Sequence, residues 1–406
     1  MTSKRKIIND PVFGFINIPN TFVYNIIAHP YFQRLNRIKQ LGFTHLVYPG
    51  AQHSRLSHSL GAMYLMSEAI AQLRIKGHNI TQDEENAALG AILMHDLGHS
   101  PFSHVLENTL IHDLCHEDIS WMLMQKMNED FNGQLTTSIE VFQDKYPKRF
   151  LHQLVSGQLD VDRLDYLRRD SFFTGVTEGN IGSARIIKML DVKDDHLVVE
   201  IKGIYSIENF LMARRLMYWQ VYLHKTSIAA EKMLINILKR AKELQSNGTE
   251  VFASPALHYF LSQKVDKQTF QNDAQALKHF VDLDDNDIWT ALKVWSQHPD
   301  KVLSLLSQSL LNRRLFKIQI ESKPFQPAYL EEKQKQLAAQ YQLSMSEAAY
   351  LIASDDISTN MYSEADDSIA VLYKDGSIHD IAEASDMLNI QLLSKKVKKY
   401  YFCFLR

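Results

Sequence analysis

A histidine followed directly by an aspartate, His95-Asp96, ends an apolar run of the sequence. A buried carboxylate is costly unless it is paired or bound to a metal, so the dipeptide needs a chemical partner. Neighbouring helical residues point about 100° apart, yet both side chains can reach an ion between their faces where the helix opens towards Gly98. The pair alone fits equally well an aspartate that caps the next turn beside a histidine bonded to a backbone carbonyl.

Two other segments supply further ligand-type side chains. QHSRLSHSLG places His58 near the start of a helix, with Arg55 one turn earlier. DVDRLDYLRRD spaces Asp162, Tyr166 and Asp170 four residues apart, on one face of a helix, although such a face is more often merely solvated. The proposed ligand set is His58, His95, Asp96 and Asp162. Two imidazoles and two carboxylates, with positions left for water, suit octahedral iron, manganese or a related divalent ion better than a closed structural zinc site.

Apolar periodicity predicts the helices that must position these residues. Spacing between Phe22 and Leu41, interrupted by Pro30, predicts two short helices joined near His29-Pro30. A helix over 83–97 begins with acidic residues and should stop at Gly98. Further helices are predicted at about 57–74, 115–130, 138–145, 147–170 and 206–245.

The pattern changes at Ser246-Asn247-Gly248, where turn residues end the helical region. Beyond it the predicted strands are Leu315–Ile320, Ile369–Tyr373 and Lys398–Leu405, with a turn at Asp375-Gly376 and helices near 271–281, 287–296 and 328–341. A chain of 406 residues also exceeds the ~250–300 at which one core stops growing. We therefore predict a mainly α protein, with a helical core over 1–245 and a smaller α+β regulatory or oligomerisation region over 246–406.

Composition excludes several classes of protein. A net charge of −3 argues against a basic nucleic-acid-binding face over the whole molecule, although it allows a local cationic pocket. Two cysteines, Cys115 and Cys403, cannot build a disulfide framework. The opening MTSKRKIIND is not followed by an apolar stretch, and no run approaches the ~18 apolar residues of a membrane span. We expect a cytoplasmic protein without a membrane partner.

The order of a histidine, a later His-Asp pair and a still later aspartate resembles the sequence signature of the HD phosphohydrolase superfamily. Five segments are more specifically similar to the deoxynucleoside triphosphate (dNTP) triphosphohydrolases related to the vertebrate SAM-and-HD-domain protein. They are KIINDPVFGFI, FQRLNRIKQLG, YPGAQHSRLSHSLG, HDLGHSPFSH and DVDRLDYLRRD. The likeness runs from about Lys6 to Lys232 and returns weakly at NRRLFKI, and we expect no SAM domain before it. The resemblance implies an HD-domain core that hydrolyses dNTPs to deoxynucleoside and inorganic triphosphate.

The resemblance also implies roles for single residues. A divalent metal (Mn, Fe or Mg) would bind His58, His95, Asp96 and Asp162, with additional Mg possible alongside the nucleotide. Implied catalytic residues are His104, Glu107, His116, His99 and Arg55. Implied substrate-binding residues are Gln40, Leu41, Arg55, His99, Arg163, Tyr166, Asp170, Arg214 and Tyr222, of which Gln40 and Leu41 would crowd a 2′-hydroxyl. Arg163 and Glu107 replace a lysine and an aspartate of the vertebrate member, and arginine offers a planar fork rather than a point charge.

Members of this family that are activated by nucleotides bind them between subunits and assemble an oligomer, often a tetramer. The matching phosphate-side positions are Lys6, Asn9, Gln33, Arg313 and Lys317, so the resemblance implies a nucleotide-regulated dimer or tetramer. The aspartate and arginine that recognise guanine in some members align with Ala28 and Asn36. Because an alanine side chain accepts no hydrogen bond from guanine, we expect weak or redirected base selectivity.

Two alternatives stay open at this stage. Another HD phosphohydrolase, such as a nucleoside monophosphatase or a cyclic-nucleotide or alarmone hydrolase, would share the metal ligands. A non-catalytic nucleotide or single-strand nucleic-acid binder would instead use basic residues interleaved with aromatic ones near the C-terminus. These residues are Lys395, Lys396, Lys398, Lys399, Tyr400, Tyr401 and Phe402. Their pattern favours an edge strand that its lysines guard against aggregation.

Overall fold

The structure, a computed structural model, describes residues 6–102, 105–107, 109–359, 368–386 and 397–406. Numbered along these residues, the α-helices are α1 (Thr21–Ala28), α2 (Pro30–Arg34), α3 (Arg55–Ile75), α4 (Gln82–Met94), α5 (His116–Asp130), α6 (Thr136–Phe142), α7 (Arg149–Val155), α8 (Val161–Thr174), α9 (Ser183–Met189), α10 (Ile204–Met217), α11 (Lys225–Ser246), α12 (Pro255–Ser262), α13 (Lys267–Asn272), α14 (Ala274–Asp282), α15 (Asp285–Trp295), α16 (Lys301–Leu311), α17 (Pro327–Tyr341), α18 (Met345–Ala348) and α19 (Ile381–Ala384). The mainly α prediction is confirmed. Helix α3 packs against both α4 and α8, and the buried apolar side chains form a core that reaches from Ile16 to Leu405.

The β-strands are short. In the same numbering they are β1 (Ile7–Asp10), β2 (Gly14–Asn17), β3 (Ile111–His112), β4 (Leu190–Lys193), β5 (His196–Glu200), β6 (Val265–Asp266), β7 (Lys317–Glu321), β8 (Ile352–Thr359), β9 (Ala370–Leu372), β10 (Ile378–Asp380) and β11 (Val397–Phe404). They form the hairpin β1-β2, the pair β3-β6 and two sheets of order β10-β9-β5-β4 and β7-β11-β8. The predicted strands near β7, β9 and β11 are confirmed, whereas the hairpins before residue 246 were missed.

Strand β11 is the middle strand of its sheet, so its interpretation as an edge strand was wrong. It pairs antiparallel with β7 on one side and with β8 on the other. Tyr401 and Phe402 are buried, while the Lys398 ammonium pairs with Asp356 at 3.1 Å. Lys395 and Lys396 lie outside the described residues. Because two of the three aromatic rings are buried in the sheet, they are not available to stack on bases.

The predicted helix pair around His29-Pro30 is confirmed, but its second member ends earlier than Leu41. The imidazole Nδ1 of His29 accepts a hydrogen bond from the Tyr31 amide at 3.2 Å, and Pro30 occupies the first turn of α2. After Arg34 the chain makes one 3₁₀ turn and then becomes extended, because the Gln40 amide donates to the carbonyl of His53 at 3.0 Å. Gln40 is thereby set beside the segment that precedes α3.

Helix α4 ends at Met94 rather than Leu97, which leaves His95 and Asp96 in the turn behind it. A capping box between Thr81 and Glu84 starts the helix. At the other end of the helix, hydrogen bonds from a side chain of α5 take the place of further backbone hydrogen bonds of α4. The Ser120 hydroxyl donates to the His95 carbonyl at 2.7 Å and accepts from the Gly98 amide at 2.8 Å. This turn, residues 95–102, is called the HD loop below.

Two predicted long helices are each divided in the structure. The helix predicted over 147–170 is α7 and α8, because the Asp160 carboxylate caps α8 and accepts from the amides of Arg163 (2.6 Å) and Gly157 (2.9 Å). The helix predicted over 206–245 is α10, a π-helical turn at Tyr218–Tyr222, and α11. His224 caps α11 by accepting from the Thr226 amide at 3.2 Å. In both cases a local side-chain acceptor competes with the helical ladder.

The predicted boundary near residue 246 coincides with the end of α11. Strand β5 nevertheless pairs with β9, and β3 with β6, so strands from both sides of the boundary share sheets. The division into 1–245 and 246–406 stays a prediction. None of the helices in the described ranges has the length and apolarity that crossing a membrane requires.

Gly98 provides the first test of this packing. A Cβ atom there would lie 2.0 Å from the His116 carbonyl and 2.4 Å from the Ser120 amide, which are both backbone atoms of α5. We expect Gly98→Ala to lower the free energy of unfolding by about 1–3 kcal/mol, as overpacking does. Chemical denaturation followed by circular dichroism measures the change. Gly182→Ala is the control, since its Cβ would come no nearer than 3.9 Å to Arg185; an equal effect at both glycines would contradict the close approach of the HD loop to α5.

Candidate active site

Three elements bring four ligand-type side chains to one point. Helix α3 carries His58, the HD loop carries His95 and Asp96, and α8 carries Asp162. The Asp162 Oδ1 atom lies 3.0 Å from His58 Nε2 and 3.5 Å from His95 Nε2. The Asp96 carboxylate lies 3.8 Å from His58 Nε2 and 3.4 Å from His95 Nε2. Ligand atoms of His58, His95 and Asp162 all fall within 4.8 Å of one another, which is the spacing of a metal site.

The donor atoms of this cluster fit a divalent cation. Nε2 of His58 and of His95 is buried and makes no hydrogen bond of acceptable geometry, so each nitrogen can bind a metal ion once it has released its proton. Although burial opposes its ionisation, the two imidazoles hold the pKa of Asp162 well below its usual range. Burial also lowers the pKa of His58, but Asp162 and Asp165 outweigh it and raise that pKa to about 10. The carboxylates therefore attract positive charge to this point, and a metal ion would compete with a proton for it.

The second nitrogen of each histidine is held by an outer partner. His58 Nδ1 lies 2.7 Å from the Asp165 carboxylate, which only accepts, so Nδ1 is the donor. His95 Nδ1 lies 2.6 Å from the Ile92 carbonyl and donates to it. These bonds leave Nε2 deprotonated in the neutral ring and turned towards the cluster, as metal-binding histidines require. Asp165 was missed, although it stands three residues after Asp162 and so shares its side of α8.

A cavity of about 660 Å³ opens onto the cluster. Its lining includes twelve of the residues predicted for the site: Gln40, Leu41, Arg55, His95, Asp96, His99, His116, Asp162, Arg163, Tyr166, Asp170 and Tyr222. His58 is buried and does not line the cavity, and buried Arg214 donates to Gln158 Oε1 at 3.0 Å instead of lining it. His104 lies outside the described residues.

Cationic and neutral donors surround the cluster on the cavity side. Arg55 Nη1 lies 2.7 Å from Asp96 Oδ2, and His99 Nδ1 lies 3.0 Å from Asp96 Oδ1. Burial, reinforced by Arg55, lowers the pKa of His99 to about 3. His99 is therefore a neutral imidazole at physiological pH, able to donate or accept but not to add charge. Arg163 supplies a second guanidinium, 3.2 Å from the Asp160 carboxylate.

At another part of the cavity Asp170 is fully engaged by neighbours. Its carboxylate lies 2.7 Å from His53 Nε2 and accepts from the Tyr222 hydroxyl at 2.8 Å. His53 stacks on Phe173 at 4.5 Å and was missed by the sequence analysis, since a position just before a helix carries no distinctive pattern. Tyr166 and Tyr222 pack edge to face at 5.9 Å. The tyrosines and Asp170 therefore make a polar wall whose members contact one another.

Two members of the predicted acid–base group, Glu107 and His116, lie among the described residues. His116 Nδ1 lies 3.5 Å from Glu107 Oε1, and its Nε2 lies 3.2 Å from Glu117 Oε1. The rings of His99 and His116 are 4.0 Å apart, so the group adjoins the HD loop. Glu117 also lines the cavity and was not among the predicted residues.

The predicted regulatory residues do not meet within one chain. Arg313 and Lys317 line a different cavity, of about 710 Å³, together with the further cations Lys225, Arg314 and Arg406. The ammonium of Lys6 lies over the ring of Tyr24 at 3.3 Å. Asn9 is an exposed residue of β1, and the side-chain Nε2 of Gln33 donates to the Ile27 carbonyl at 2.7 Å. None of Lys6, Asn9 and Gln33 lines that cavity.

Comparisons with known proteins identify the family of this chain. A family model described as the HD domain matches residues 55–170, which begin at Arg55 and end at Asp170, and one described as an HD associated region matches 181–254. The crystal structure of a phosphohydrolase (BT4208) from Bacteroides thetaiotaomicron is 64% identical, with a TM-score of 0.97 over 99% of this chain and 100% of that one. This chain belongs to the HD-domain phosphohydrolases.

Among individual relatives, the uncharacterized protein YwfO of Bacillus subtilis is 33% identical over 77% of this chain and 72% of its own length. A deoxynucleoside triphosphate triphosphohydrolase SAMHD1 homolog of Dictyostelium discoideum is 31% identical over 59% of this chain. The match covers 50% of that relative, so the chain spans about half of its length.

We expect Asp162→Ala to weaken Mn²⁺ binding by at least about 100-fold, the upper end of the loss when only an outer partner is removed. Phosphohydrolase activity should fall with it, because the substitution removes a ligand-type carboxylate from the centre of the cluster. Metal content by mass spectrometry and helicity by circular dichroism check both points. Asp83→Ala, at an exposed position in the first turn of α4, is the control. Full activity of purified Asp162→Ala with chelator present would exclude the metal site.

Proposed function

We propose that this protein hydrolyses deoxynucleoside triphosphates to the deoxynucleoside and inorganic triphosphate. The observation that carries the proposal is a single cavity lined by metal-ligand-type, cationic, tyrosine and apolar side chains together. Relatives named deoxynucleoside triphosphate triphosphohydrolase, 26–31% identical to this chain, add support. The chain covers 45–59% of their lengths, so their substrate is adopted here as a proposal.

The side chains suit a substrate that brings several negative charges. Arg55 and Arg163 would neutralise phosphate oxygens. Neutral His99, whose Nδ1 faces Asp96, would line the same site through its other nitrogen without adding charge. A divalent ion bound by His58, His95, Asp96 and Asp162 would supply phosphoryl polarisation and water activation. A wall of cations and neutral donors is favourable because isolated phosphate charges lose much of their solvation in a half-enclosed cavity.

The acid–base group would act on the leaving oxygen. Water attacks the α-phosphorus, the bond from that phosphorus to the 5′-oxygen breaks, and a proton must reach this oxygen as the nucleoside leaves. We assign that proton transfer to His104, supported by Glu107 and His116. General acid catalysis of this kind contributes about 10²–10⁴-fold. Nucleoside and inorganic triphosphate leave in one step.

Selection of deoxyribose would come from Gln40 and Leu41. Both line the cavity, and the Gln40 backbone is fixed by its bond to His53, which in turn holds Asp170. A 2′-hydroxyl against Leu41 would lose water without gaining a partner, which is costly in a confined site. The Tyr222 and Asp170 wall would face the same sugar.

Phosphorus NMR of the products distinguishes this reaction from those of other HD hydrolases. We expect inorganic triphosphate from each dNTP, with kcat/KM for the matching ribonucleotide lower by about 100-fold, as for rejection of one hydroxyl by an apolar pocket. Leu41→Ala should narrow that ratio by opening the wall. Leu277→Ala, which alters a partly buried leucine of α14 that lines neither cavity, serves as the control. Orthophosphate as the first product would assign the protein to a different branch of HD phosphohydrolases.

We further propose that nucleotide regulates the protein through the cationic cavity that α11 forms with residues beyond 246. Five cations line that cavity: Lys225, Arg313, Arg314, Lys317 and Arg406. Such a concentration of positive charge favours a polyphosphate ligand. Lys6, Asn9 and Gln33 would complete the site from another subunit of a homo-oligomer, and shared binding would couple nucleotide to assembly by mass action.

Hydrolysis of each dNTP alone and in pairs, with mass measured by light scattering, tests the regulation. We expect a nucleotide-dependent increase in mass and rate without a strict requirement for GTP, because Ala28 offers no acceptor to guanine. Arg313→Ala combined with Lys317→Ala should reduce both responses by about tenfold or more, since charge-assisted phosphate contacts are lost. Lys335→Ala, on α17, is the control. Identical rates and masses under every nucleotide combination would remove the proposal.

A further inference from the structure

A chain of buried charges connects the N-terminal hairpin to the proposed metal ligand His58. Asp165 Oδ2 lies 2.7 Å from His58 Nδ1. The Arg169 guanidinium donates two bonds to the same carboxylate, at 2.9 Å and 3.0 Å. Its remaining Nη1 donates to Asp10 Oδ2 at 2.7 Å, and Asp10 is the last residue of β1. The path thus runs from hairpin to ligand through three side-chain contacts.

These contacts are inaccessible to water. The side chains of Asp165 and Arg169 are both 0% exposed, and that of Asp10 is 4% exposed. Space for them depends on Gly61, because a Cβ atom there would lie 2.0 Å from Asp165 Oδ1 and 2.1 Å from Arg169 Nη2. Gly61 is one turn after His58 on α3, so the pair lies directly beneath the histidine. A buried ion pair is strongly destabilised when one partner is removed, which leaves an uncompensated charge.

Asp10 also shapes the hairpin itself. Its Oδ1 atom accepts from the amides of Val12 and Phe13, both at 2.9 Å, and so closes the turn between β1 and β2. Phe13 packs on Tyr64 of α3 at 5.2 Å and lies beneath the guanidinium of Arg168 at 4.7 Å. One carboxylate therefore folds the turn with one oxygen and binds Arg169 with the other.

From this arrangement we infer that Asp10 is a positioning residue for His58, so that docking of the β1-β2 hairpin and metal binding stabilise each other. The inference rests on the proposed metal site. Arg169 forms ion pairs with both Asp165 and Asp10. The position of its guanidinium between them fixes the position of the Asp165 carboxylate. That carboxylate in turn sets the tautomer and the direction of His58. Outer partners of this kind change metal affinity by about 10–100-fold.

The coupling must be reciprocal. If docking of the hairpin favours metal binding, then bound metal must favour docking by the same factor. Local opening of the hairpin is measurable as backbone amide exchange. The amides of residues 7–17 should therefore exchange more slowly when Mn²⁺ is bound. A purely structural role for Asp10 would leave their exchange independent of metal.

The test is Asp10→Asn, with Mn²⁺ affinity measured by calorimetry. Asparagine keeps an oxygen for the Val12 and Phe13 amides but presents no negative charge to Arg169. We expect about tenfold weaker Mn²⁺ binding, and loss of the metal-dependent protection of residues 7–17. Asp300→Asn is the matched control. Asp300 likewise pairs with an arginine, Arg240 at 2.6 Å, and accepts a backbone amide, Leu303 at 2.8 Å, but it does not belong to this charge chain.

Unchanged Mn²⁺ affinity in Asp10→Asn, or an equal loss in Asp300→Asn, would overturn the inference. If Asp10→Asn does not fold, the exchange of residues 7–17 in the unaltered protein decides, and metal-independent exchange overturns it. Failure of the proposed site itself is recognised separately through Asp162→Ala. If Asp162→Ala loses the metal while Asp10→Asn binds normally, only the coupling is wrong. If Asp162→Ala still binds Mn²⁺ normally, the proposed metal site is wrong, and the inference that rests on it is wrong as well.

Discussion

The candidate active site depends on carboxyl groups held out of water. Asp96, Asp165 and Asp170 are buried and Asp162 is half-buried, and each would be unstable there without positive charge or donors. The compensating groups are Arg55 and His99 for Asp96, His58 and His95 for Asp162, Arg169 for Asp165, and His53 and Tyr222 for Asp170. These partners come from different elements, so the helices must pack in one arrangement for the charges to be matched. The same helix packing therefore determines both the geometry of the site and the stability of the fold.

The HD loop is held in place by residues that are distant in the sequence. Arg34 is buried and donates to the carbonyls of Leu97 at 3.2 Å, His99 at 3.0 Å and Leu283 at 3.1 Å. Burial lowers the pKa of this guanidinium to about 9, which still leaves it charged at neutral pH. Asp285, at the start of α15, accepts from the amides of Lys39 at 3.0 Å and Phe102 at 3.3 Å. Residues beyond 246 therefore help to hold both the loop and the segment that carries Gln40.

One side of the cavity is formed by a widened stretch of helix. Tyr218 and Tyr222 belong to the π-helical turn between α10 and α11, and their rings pack edge to face at 5.2 Å. Such turns are frequent at functional sites because the extra residue re-aims side chains. Here the turn brings Tyr222 onto Asp170, where burial and the carboxylate raise the pKa of the phenol well above its usual range. Tyr222 is a hydrogen-bond donor at any physiological pH.

Much of this could be read from the sequence, because it depends on local order. The mainly α class, the helix pair at His29-Pro30, the α4 start and three strands follow from periodicity and capping residues. The ligand-type residues His58, His95, Asp96 and Asp162 could be chosen by residue type, with the resemblance excluding many alternatives. Their roles remain proposals, while the structure shows that they converge.

What only the tertiary structure decided is where partners distant in sequence meet. The end of α4 depends on Ser120, and the central position of β11 in its sheet depends on β7 and β8. The role of Asp165 depends on His58, 107 positions away. No local pattern marks His53 as the partner of Asp170, or Asp10 as that of Arg169. A buried charge can be recognised in a sequence only as a residue type. Which opposite charge compensates it is set by the packing of helices, because desolvation penalises every arrangement in which the two do not touch.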